Sequence, residues 1–275
     1  MRTEIRTALK KDIPILCSIW KTCFDDDEEY IKLFYEKNFE RIEVLVLCEN
    51  ENIVSMVHLL NAAFVDSKDC QNAKYVYAGA TFPEYRKNGY FGMLLKYATD
   101  NAKKSGDILF LKPATPILAK SFDRFDFKVD SYFNLVTIYP KDKQEFSSRI
   151  LSSEEYNNLR NAAFSYRPYV KWENEHIEWC IEENEYYSGE TLEINLENNR
   201  HFIMAYPDGD TLIVNETDMN LSELKRISGA LCEKFCTKLI KAYMPDYSCD
   251  EGERIISSSV FNSTNKNTYA NLILI

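Results

Sequence analysis

The stretch "GATFPEYRKNGYFGMLL", residues 79–95, constrains the fold more than any other part of the sequence. It begins as an apolar strand end, turns at one proline and one arginine, and continues as an amphipathic run. The apolar residues of this run recur at helical spacing on one face: Phe91, Leu94, Leu95, Ala98 and Ala102. Because a helix N-terminus carries unpaired backbone amides, a strand that turns directly into a helix is a candidate phosphate-binding site.

The turn itself has the chemistry of an anion site. Gly89 would let the backbone approach a ligand closely, and Arg86 and Lys87 would add charge-assisted contacts. Residues 84–104 carry a net charge of +3 in a chain whose net charge is −10. The stretch contains neither GxGxxG nor GK[ST], so it is not a dinucleotide fingerprint or a P-loop. Ordinary helix-entry chemistry with a solvated helix face explains these residues equally well.

The rest of the first half predicts strands and helices in the order of an α/β fold. The acidic run "DDDEE", residues 25–29, suits a helix N-terminus. The order predicts a mixed sheet with helices on both faces. The predicted elements are a strand near 3–8, helices near 11–24 and 26–37, a hairpin of 42–49 and 53–65, a strand over 73–82, the helix after residue 89, a strand over 107–113, a helix over 115–125 and a strand over 127–140.

A polar stretch at 139–148 is the best linker, and it predicts two domains, 1–140 and 141–275. Beyond it a similar order loosely recurs: helices near 152–164, 171–185 and 220–237, strands near 191–196, 201–206 and 211–216, and further strands toward the end. At the junction that corresponds to the opening stretch, Glu216 and Asp218 precede the helix and there is no glycine. The second domain is therefore predicted to lack a phosphate site.

Composition and charge exclude several classes of protein. The sequence is 45% hydrophobic and 28% charged, which is typical of a globular domain, and no apolar window reaches the length of a membrane span. No signal peptide is expected, because the N-terminus is charged and lacks an apolar core. The eight cysteines show no CxxC or metal-ligand spacing, which favours reduced thiols, a cytoplasmic protein and no metal. Residues 141–275 carry a net charge of −9, which argues against nucleic acid as a partner.

Extended to "GATFPEYRKNGYFGMLLKYA", the stretch resembles motif A of the GCN5-related N-acetyltransferases (GNATs). The later "LAKSFDRFDF" is similar to a second family motif, and the resemblance covers about residues 3–138. The tandem type, which includes the enhanced-intracellular-survival aminoglycoside acetyltransferases, is the most similar. In that type an active first unit packs beside a degenerate second one. The resemblance thus implies an N-terminal acetyltransferase domain and a degenerate GNAT-like C-terminal domain.

The resemblance also implies acetyl-CoA as the acyl donor. Gly79, Ala80 and Thr81 would contact its pantetheine arm and acetyl group. Many family members have Gly or Ala where this chain has a phenylalanine, but only the main chain need touch the phosphates there. The implied pyrophosphate cradle consists of Arg86, Lys87, Asn88, Gly89, Tyr90, Phe91 and Gly92.

Catalytic groups are less well defined. The family tyrosine that protonates the leaving thiolate falls at Phe122, which has no proton to give. Because an amine is mostly protonated at neutral pH, a base is also needed. Tandem relatives can use the C-terminal carboxylate, here that of Ile275, although the apolar end "YANLILI" equally fits a core strand. Substitute proton donors are Ser121, Tyr77, Tyr85 and Tyr132.

We therefore expect an acetyl-CoA-dependent N-acetyltransferase in which a small basic amine attacks the thioester directly. A non-catalytic acyl-CoA sensor is the alternative, supported by Phe122. A tandem aminoacyl or acyl transferase working on a cell-wall or lipid precursor ranks last, because the acidic charge disfavours tRNA. We expect no nucleic-acid or membrane partner, and the oligomeric state is open.

Overall fold

The computed structural model of the chain describes residues 2–66, 69–197, 199–245, 253–260 and 268–271. The fold divides into two compact units. The first consists of Met1–Ala63, Gln71–Lys128 and Ser258–Asn262, and the second of Phe64–Cys70, Val129–Ser257 and Ser263–Ile275. The domain boundary near residue 140 stays a prediction.

The first unit follows the predicted order closely, and its mixed sheet confirms the expected fold class. Each predicted strand and helix of the first half occurs within a few residues of its expected bounds. The elements are β1 (Thr3–Thr7), α1 (Ile13–Cys23), α2 (Glu28–Asn38), β2 (Glu43–Glu49), β3 (Asn52–Asp66), β4 (Asp69–Thr81), α3 (Tyr90–Ser105), β5 (Ile108–Leu111) and α4 (Pro116–Phe122).

The strands of this unit lie in chain order. β1 pairs with β2 and β2 with β3, both antiparallel; β4 lies beside β3 and pairs with β5 in parallel. A 3₁₀ turn at Pro83–Tyr85 joins β4 to α3. Asp27 caps α2 by accepting a hydrogen bond from the Tyr30 amide at 2.7 Å, which is the structural role expected for the acidic run.

Two apolar layers cover the sheet of the first unit. One layer is formed by α3, whose apolar face is buried as the spacing predicts: Leu94, Leu95, Ala98 and Ala102. They pack with sheet residues that include Leu45, Val57 and Leu109. The other layer is aromatic and contains Trp20 of α1, Phe34 and Tyr35 of α2, His58 of β3 and Tyr77 of β4.

The second unit is also a mixed α/β structure with its own apolar core. Residues such as Ile194, Leu212, Leu224 and Ile240 are fully buried there. Its elements are β6 (Lys128–Ile138), β7 (Ser147–Ile150), α5 (Ser153–Phe164), β8 (Tyr169–Trp172), α6 (Asn174–Tyr186), β9 (Glu190–Leu196), β10 (Asn199–Asp208), β11 (Thr211–Thr217), α7 (Leu221–Lys234), β12 (Leu239–Pro245) and β13 (Glu253–Val260). The strand order within the unit is β6, β12, β11, β10, β9, β7.

Two short strands of this region were not predicted from the sequence. β7 begins at Ser147, inside the expected linker, and β8 occupies the start of the helix expected at 171–185, which begins instead at Asn174. Both strands have four residues, too short for a clear alternation of apolar and polar side chains. The end of β13, Ser258–Val260, belongs to the first unit and pairs there with β5 in antiparallel orientation.

The described part of the C-terminal segment, 268–271, is held firmly within the second unit. Tyr269 donates its amide to the Pro168 carbonyl at 2.9 Å and accepts from the Val170 amide at 2.8 Å. The Trp172 indole donates to the Asn271 carbonyl at 2.8 Å. Ile275, whose carboxylate the resemblance implies as a base, lies outside the described residues.

Candidate active site

Strand β4 separates from β5 before it ends. The two strands are paired only from Ala73 to Tyr75, opposite Ile108 to Phe110, and β4 then continues to Thr81. β5 itself ends at Leu111. The last six residues of β4 therefore present an edge that β5 does not cover, and the three residues expected to contact the acyl donor, Gly79, Ala80 and Thr81, lie there.

The backbone of this edge is irregular. Ala78 has a φ of +43°, in the left-handed region that non-glycine residues rarely adopt, and the next residue, Gly79, is exposed. The Ser55 hydroxyl, fully buried on β3, donates to the Ala80 carbonyl at 2.8 Å and lies 2.8 Å from Thr81 Oγ1. A neighbouring strand thus holds the end of β4 in place.

Two further side chains meet the Thr81 carbonyl. Cys23, the last residue of α1, places its Sγ 3.3 Å from that oxygen, and Arg86 Nε donates to it at 3.2 Å. Arg86 Nη2 also lies 3.5 Å from Cys23 Sγ. The guanidinium is therefore folded back onto the strand end, so the structure brings together two predicted site residues, Thr81 and Arg86.

The N-terminus of α3 is open. Lys87 and Gly89 adopt positive φ values of +69° and +78°, and Gly89 is the N-cap residue. No side chain of the described residues caps this helix, and its first turn contains no acidic residue. A Cβ atom on Gly89 would meet nothing within 4 Å. Asn88 is exposed and donates its side-chain amide to the Tyr85 carbonyl at 3.2 Å.

This geometry fits a pyrophosphate group. The unpaired amides of the first turn and the positive end of the helix dipole favour an anion, and the exposed Arg86 and Lys87 supply charge. Two other lysines of α3 form ion pairs away from this end of the helix: Lys96 with Asp100 at 3.0 Å, and Lys103 with Asp126. Arg86 and Lys87 are therefore the cations at the open end of the helix.

The side chains that follow Gly89 point away from the opening. The Tyr90 hydroxyl donates to buried Glu49 of β2, a hydrogen bond that raises the pKa of the phenol, and the side chain thereby anchors the helix to the sheet. Phe91 is half-buried over Gly79: a Cβ added to Gly79 would lie 2.3 Å from the Phe91 ring. A Cβ added to Gly92 would lie 3.1 Å from the ring of Phe125. The side chains of Tyr90 and Phe91 are thus engaged with Glu49 and with Gly79. That the main chain of these residues contacts the phosphates stays a prediction.

Ser121, one of the predicted proton donors, and Phe122 lie on α4. Phe122, the last residue of that helix, is half-buried and packs edge-to-face on Phe91, with ring centroids 6.4 Å apart. Ser121 is exposed and donates its hydroxyl to the Leu118 carbonyl at 2.7 Å. Its proton is thus engaged within its own helix, and Ser121 stays a prediction as a catalytic residue.

Lys112 is a half-buried lysine that the sequence did not single out. It follows directly after β5, at the point where β4 and β5 diverge, and burial lowers its pKa to about 8. A single lysine after a short apolar strand carries no signal that distinguishes it from a surface lysine. The same holds for Ser55 and Cys23, whose contacts depend on strand and helix packing.

The corresponding junction in the second unit is built differently. Asn220 caps α7 by accepting from the Glu223 amide at 3.0 Å, and the Glu223 carboxylate accepts from the Asn220 amide at 2.9 Å. Glu216 is fully buried and bonded to Arg160 at 2.8 Å. The helix N-terminus there is already satisfied by side chains, which supports the interpretation of a degenerate second domain.

Other kinds of site are not found in the part of the chain that the structure describes. Its histidine, cysteine and acidic side chains form no group of three that could hold a metal ion. No helix there is long and apolar enough to cross a membrane. The seven described cysteines are free thiols.

Comparison with known proteins identifies the first region. Residues 4–129 match the family model described as the acetyltransferase (GNAT) domain. No curated protein sequence matches the chain. The family resemblance is thus confirmed for these residues, which match the GNAT domain; GNATs are acyl-transferring enzymes that use acetyl-CoA.

Solved structures show the same fold over most of the chain. A probable N-acyltransferase from Enterococcus faecalis V583 is 11% identical, with 94% of this chain and 72% of that chain covered, at a TM-score of 0.72. Eis1 from Mycobacterium abscessus is 9% identical, with 88% and 65% covered, at a TM-score of 0.61. A tandem GNAT protein from the clavulanic acid biosynthesis pathway is 8% identical, with 94% and 98% covered, at a TM-score of 0.55. At these identities the likeness concerns the fold, which is a tandem GNAT fold.

Proposed function

We propose that the protein is an acetyl-CoA-dependent N-acetyltransferase that acts on a small basic amine. The observation that carries the proposal is the uncapped N-terminus of α3, with Gly89 at a φ of +78° and open space around it, placed directly after the uncovered edge of β4. An elongated donor with a pyrophosphate at one end and a thioester at the other matches these two features.

In this proposal each segment binds a different part of the donor. The amides from Lys87 to Gly92 hold the pyrophosphate, and the backbone of Gly79–Thr81 aligns the pantetheine arm and polarises the thioester carbonyl. The amine nitrogen attacks the carbonyl carbon, the carbon–sulfur bond breaks, and the CoA thiolate leaves. Holding both reactants in one site supplies much of the acceleration.

The acceptor class is supported by charge near the end of β4. Cys23 contacts the Thr81 carbonyl, and the residues that follow it include Asp25, Glu28 and Glu29, all exposed. These carboxylates attract a cationic amine to the strand end where the thioester is proposed to lie. Because the amine must lose a proton before it attacks, a base near this point is required.

Calorimetry with two matched variants tests donor binding. Gly89→Asp adds a negative charge at the N-terminus of α3 and should abolish acetyl-CoA binding. Gly106→Asp is the control, because Gly106 ends the same helix with a φ of +79° and the same open surroundings. Equal affinities for the wild type and Gly89→Asp, or no binding by the wild type, would contradict the proposal.

A non-catalytic acyl-CoA sensor is the second candidate, because the family's proton donor is replaced by Phe122. Loss of a general acid typically costs about 10²- to 10⁴-fold in rate. A thiolate whose conjugate pKa is about 8.5 can still leave unaided, which favours reduced catalysis over none. A thiol-release assay with a panel of amines separates the two, since a sensor releases no free CoA with any amine.

A further inference from the structure

His58 is a fully buried histidine directly behind the uncovered edge of β4. It lies on β3, with no exposed surface, among the rings of Trp20, Phe34 and Tyr77. Its Nε2 is 2.9 Å from the hydroxyl of buried Tyr35. A histidine in such apolar surroundings is neutral at physiological pH, since burial lowers its pKa to about 4.

The Tyr35 hydroxyl determines where the proton of the neutral ring resides. Burial raises the pKa of this phenol, so the hydroxyl keeps its proton. Its two neighbouring acceptors are Met56 Sδ at 3.7 Å and His58 Nε2 at 2.9 Å, and a thioether is much the weaker acceptor. Tyr35 therefore donates to Nε2, and the ring proton of His58 is on Nδ1.

Nδ1 is a buried donor without a partner among the described residues. The backbone of Ala78 and Tyr77 faces the ring and raises the pKa of the imidazole, whereas burial lowers it. Ala78 is the residue with a φ of +43°, directly before Gly79. A buried N–H without an acceptor is costly, and the backbone beside it is strained. A small shift of the backbone at Ala78 toward Nδ1 would complete the hydrogen bond and is therefore favoured.

We propose that His58 is a positioning residue that acts through β4: when the acyl donor binds, its Nδ1–H bonds to the backbone at Tyr77 and Ala78, and so sets the orientation of Gly79 and Ala80 toward the donor. The inference rests on the proposed function. Ser55 supports it from the same strand, because its buried hydroxyl already fixes the Ala80 carbonyl at 2.8 Å. With His58 and Ser55, β3 supplies two polar supports behind the edge that receives the thioester. Binding of the donor is expected to draw the Ala78 region onto Nδ1.

Nitrogen NMR of the wild-type protein tests this arrangement without any substitution. The chain has three histidines, so ¹⁵N-histidine labelling gives three ring systems, and His58→Asn identifies that of His58. We expect the Nδ1–H tautomer in the free protein and a shift of its Nδ1 resonance when acetyl-CoA is added. His176 and His201, in the second unit, are the internal controls. An Nε2–H tautomer, or a ring unchanged at saturating acetyl-CoA, overturns the inference.

Two variants distinguish the roles of the two ring nitrogens by their effect on the rate. The amide of His58→Asn lies where Nδ1 was and keeps a donor toward Ala78, whereas the amide of His58→Gln lies where Nε2 was and keeps only the contact with Tyr35. We expect His58→Gln to lower kcat by about 10²-fold, a typical cost of misplaced reacting groups, with a smaller change in KM for acetyl-CoA. His58→Asn should retain most of the activity, and thermal unfolding shows whether both variants are equally folded.

The outcomes distinguish this inference from the proposed function. If calorimetry shows no binding of acetyl-CoA to the wild type, the proposed function fails and the inference fails with it. If acetyl-CoA binds but the two variants lose activity equally, His58 fills space in the core and the inference alone is overturned. Opposite behaviour of the two variants supports it.

Discussion

Phe91 and Gly79 are complementary at the residue scale. Many GNATs have a small residue in the loop where this chain has a phenylalanine, and the structure shows how the larger ring is accommodated. It lies over Gly79, where a Cβ would approach it to 2.3 Å. The missing side chain on β4 and the added ring on α3 therefore compensate each other.

This complementarity predicts strong coupling between the two positions. Gly79→Ala should destabilise the wild type, since the methyl group would overlap the ring, but should cost little in a Phe91→Ala background. We expect an interaction energy of about 1–3 kcal/mol in a double-mutant cycle measured by urea unfolding. Additive effects of the two substitutions would show that the ring and the glycine do not depend on each other.

His201 gives a second prediction at the residue scale, on pH. Its Nδ1 lies 3.2 Å from Asp218 Oδ2, and the hydrogen bond to this carboxylate raises the pKa of the imidazole. A folded-state pKa above the unfolded value means that protonation stabilises the fold. The contribution of His201 to the free energy of unfolding is complete below about pH 6.5, the ordinary pKa of histidine. It is lost as the pH rises through the raised pKa of the folded state.

Urea unfolding of the wild type and His201→Gln as a function of pH measures this contribution. The difference in unfolding free energy between them should be largest in acid and should decline toward alkaline pH. Asp218→Asn, which removes the nearest carboxylate, should flatten the pH dependence in the same way. A difference that grows with pH would mean that the histidine is not held by the Asp218 carboxylate.

At the scale of elements, α2 and α3 begin in opposite ways. Asp27 satisfies the first turn of α2, whereas α3 begins at a glycine with no capping side chain in the described structure. A helix end that is left uncapped loses stability unless water or a ligand satisfies its amides. The acidic residue at the N-terminus of α2 is therefore structural, whereas the amides at the N-terminus of α3 are available to a ligand.

Substitution of the α2 cap tests this division. Asp27→Ala should lower the free energy of unfolding by about 1 kcal/mol, because the Tyr30 amide loses its acceptor. Acetyl-CoA affinity should not change. Asp25→Ala is the matched control, since Asp25 is exposed in the same acidic run and precedes the cap. Equal losses of stability in both variants would indicate a general charge effect.

At the scale of the whole molecule, stability depends on how polar groups are buried as well as on the apolar cores. Arg160 and Glu216 form an ion pair with both side chains fully buried, and Tyr156 donates to the same carboxylate oxygen at 2.7 Å. Removing one partner of such a pair leaves an uncompensated charge in the interior.

Glu216→Leu should therefore lower the free energy of unfolding of the chain by about 3–5 kcal/mol, as judged by urea unfolding. This is a large share of the roughly 5–15 kcal/mol that stabilises a typical fold. Arg160→Met combined with Glu216→Leu should recover much of the loss, since no charge then remains unpaired. A double variant as unstable as Glu216→Leu alone would show that the hydrogen bonds of this cluster matter more than its charges.

Most elements were predictable from the sequence because their signals are local. The helical spacing from Phe91 to Ala102 and the turn around Gly89 lie within a few residues of each other, and both are observed. The short strands β7 and β8 were missed because four residues carry too little pattern. The strand edge and the predicted pyrophosphate cradle meet where Arg86 donates to the Thr81 carbonyl. Ile275 lies outside the described residues.

The sequence by itself determined the order of strands and helices, the glycine and positive charge at the start of α3, and the family of the first region. The order of elements and the chemistry of the turn follow from periodicity and turn residues, which act over one or two turns of chain. The family follows from the resemblance of residues 79–98 to a known motif. Only the tertiary structure decided which side chains support the edge of β4. Cys23 meets Thr81 across 58 residues and Ser55 meets Ala80 across 25, so both contacts depend on strand register and helix packing, which no local pattern encodes.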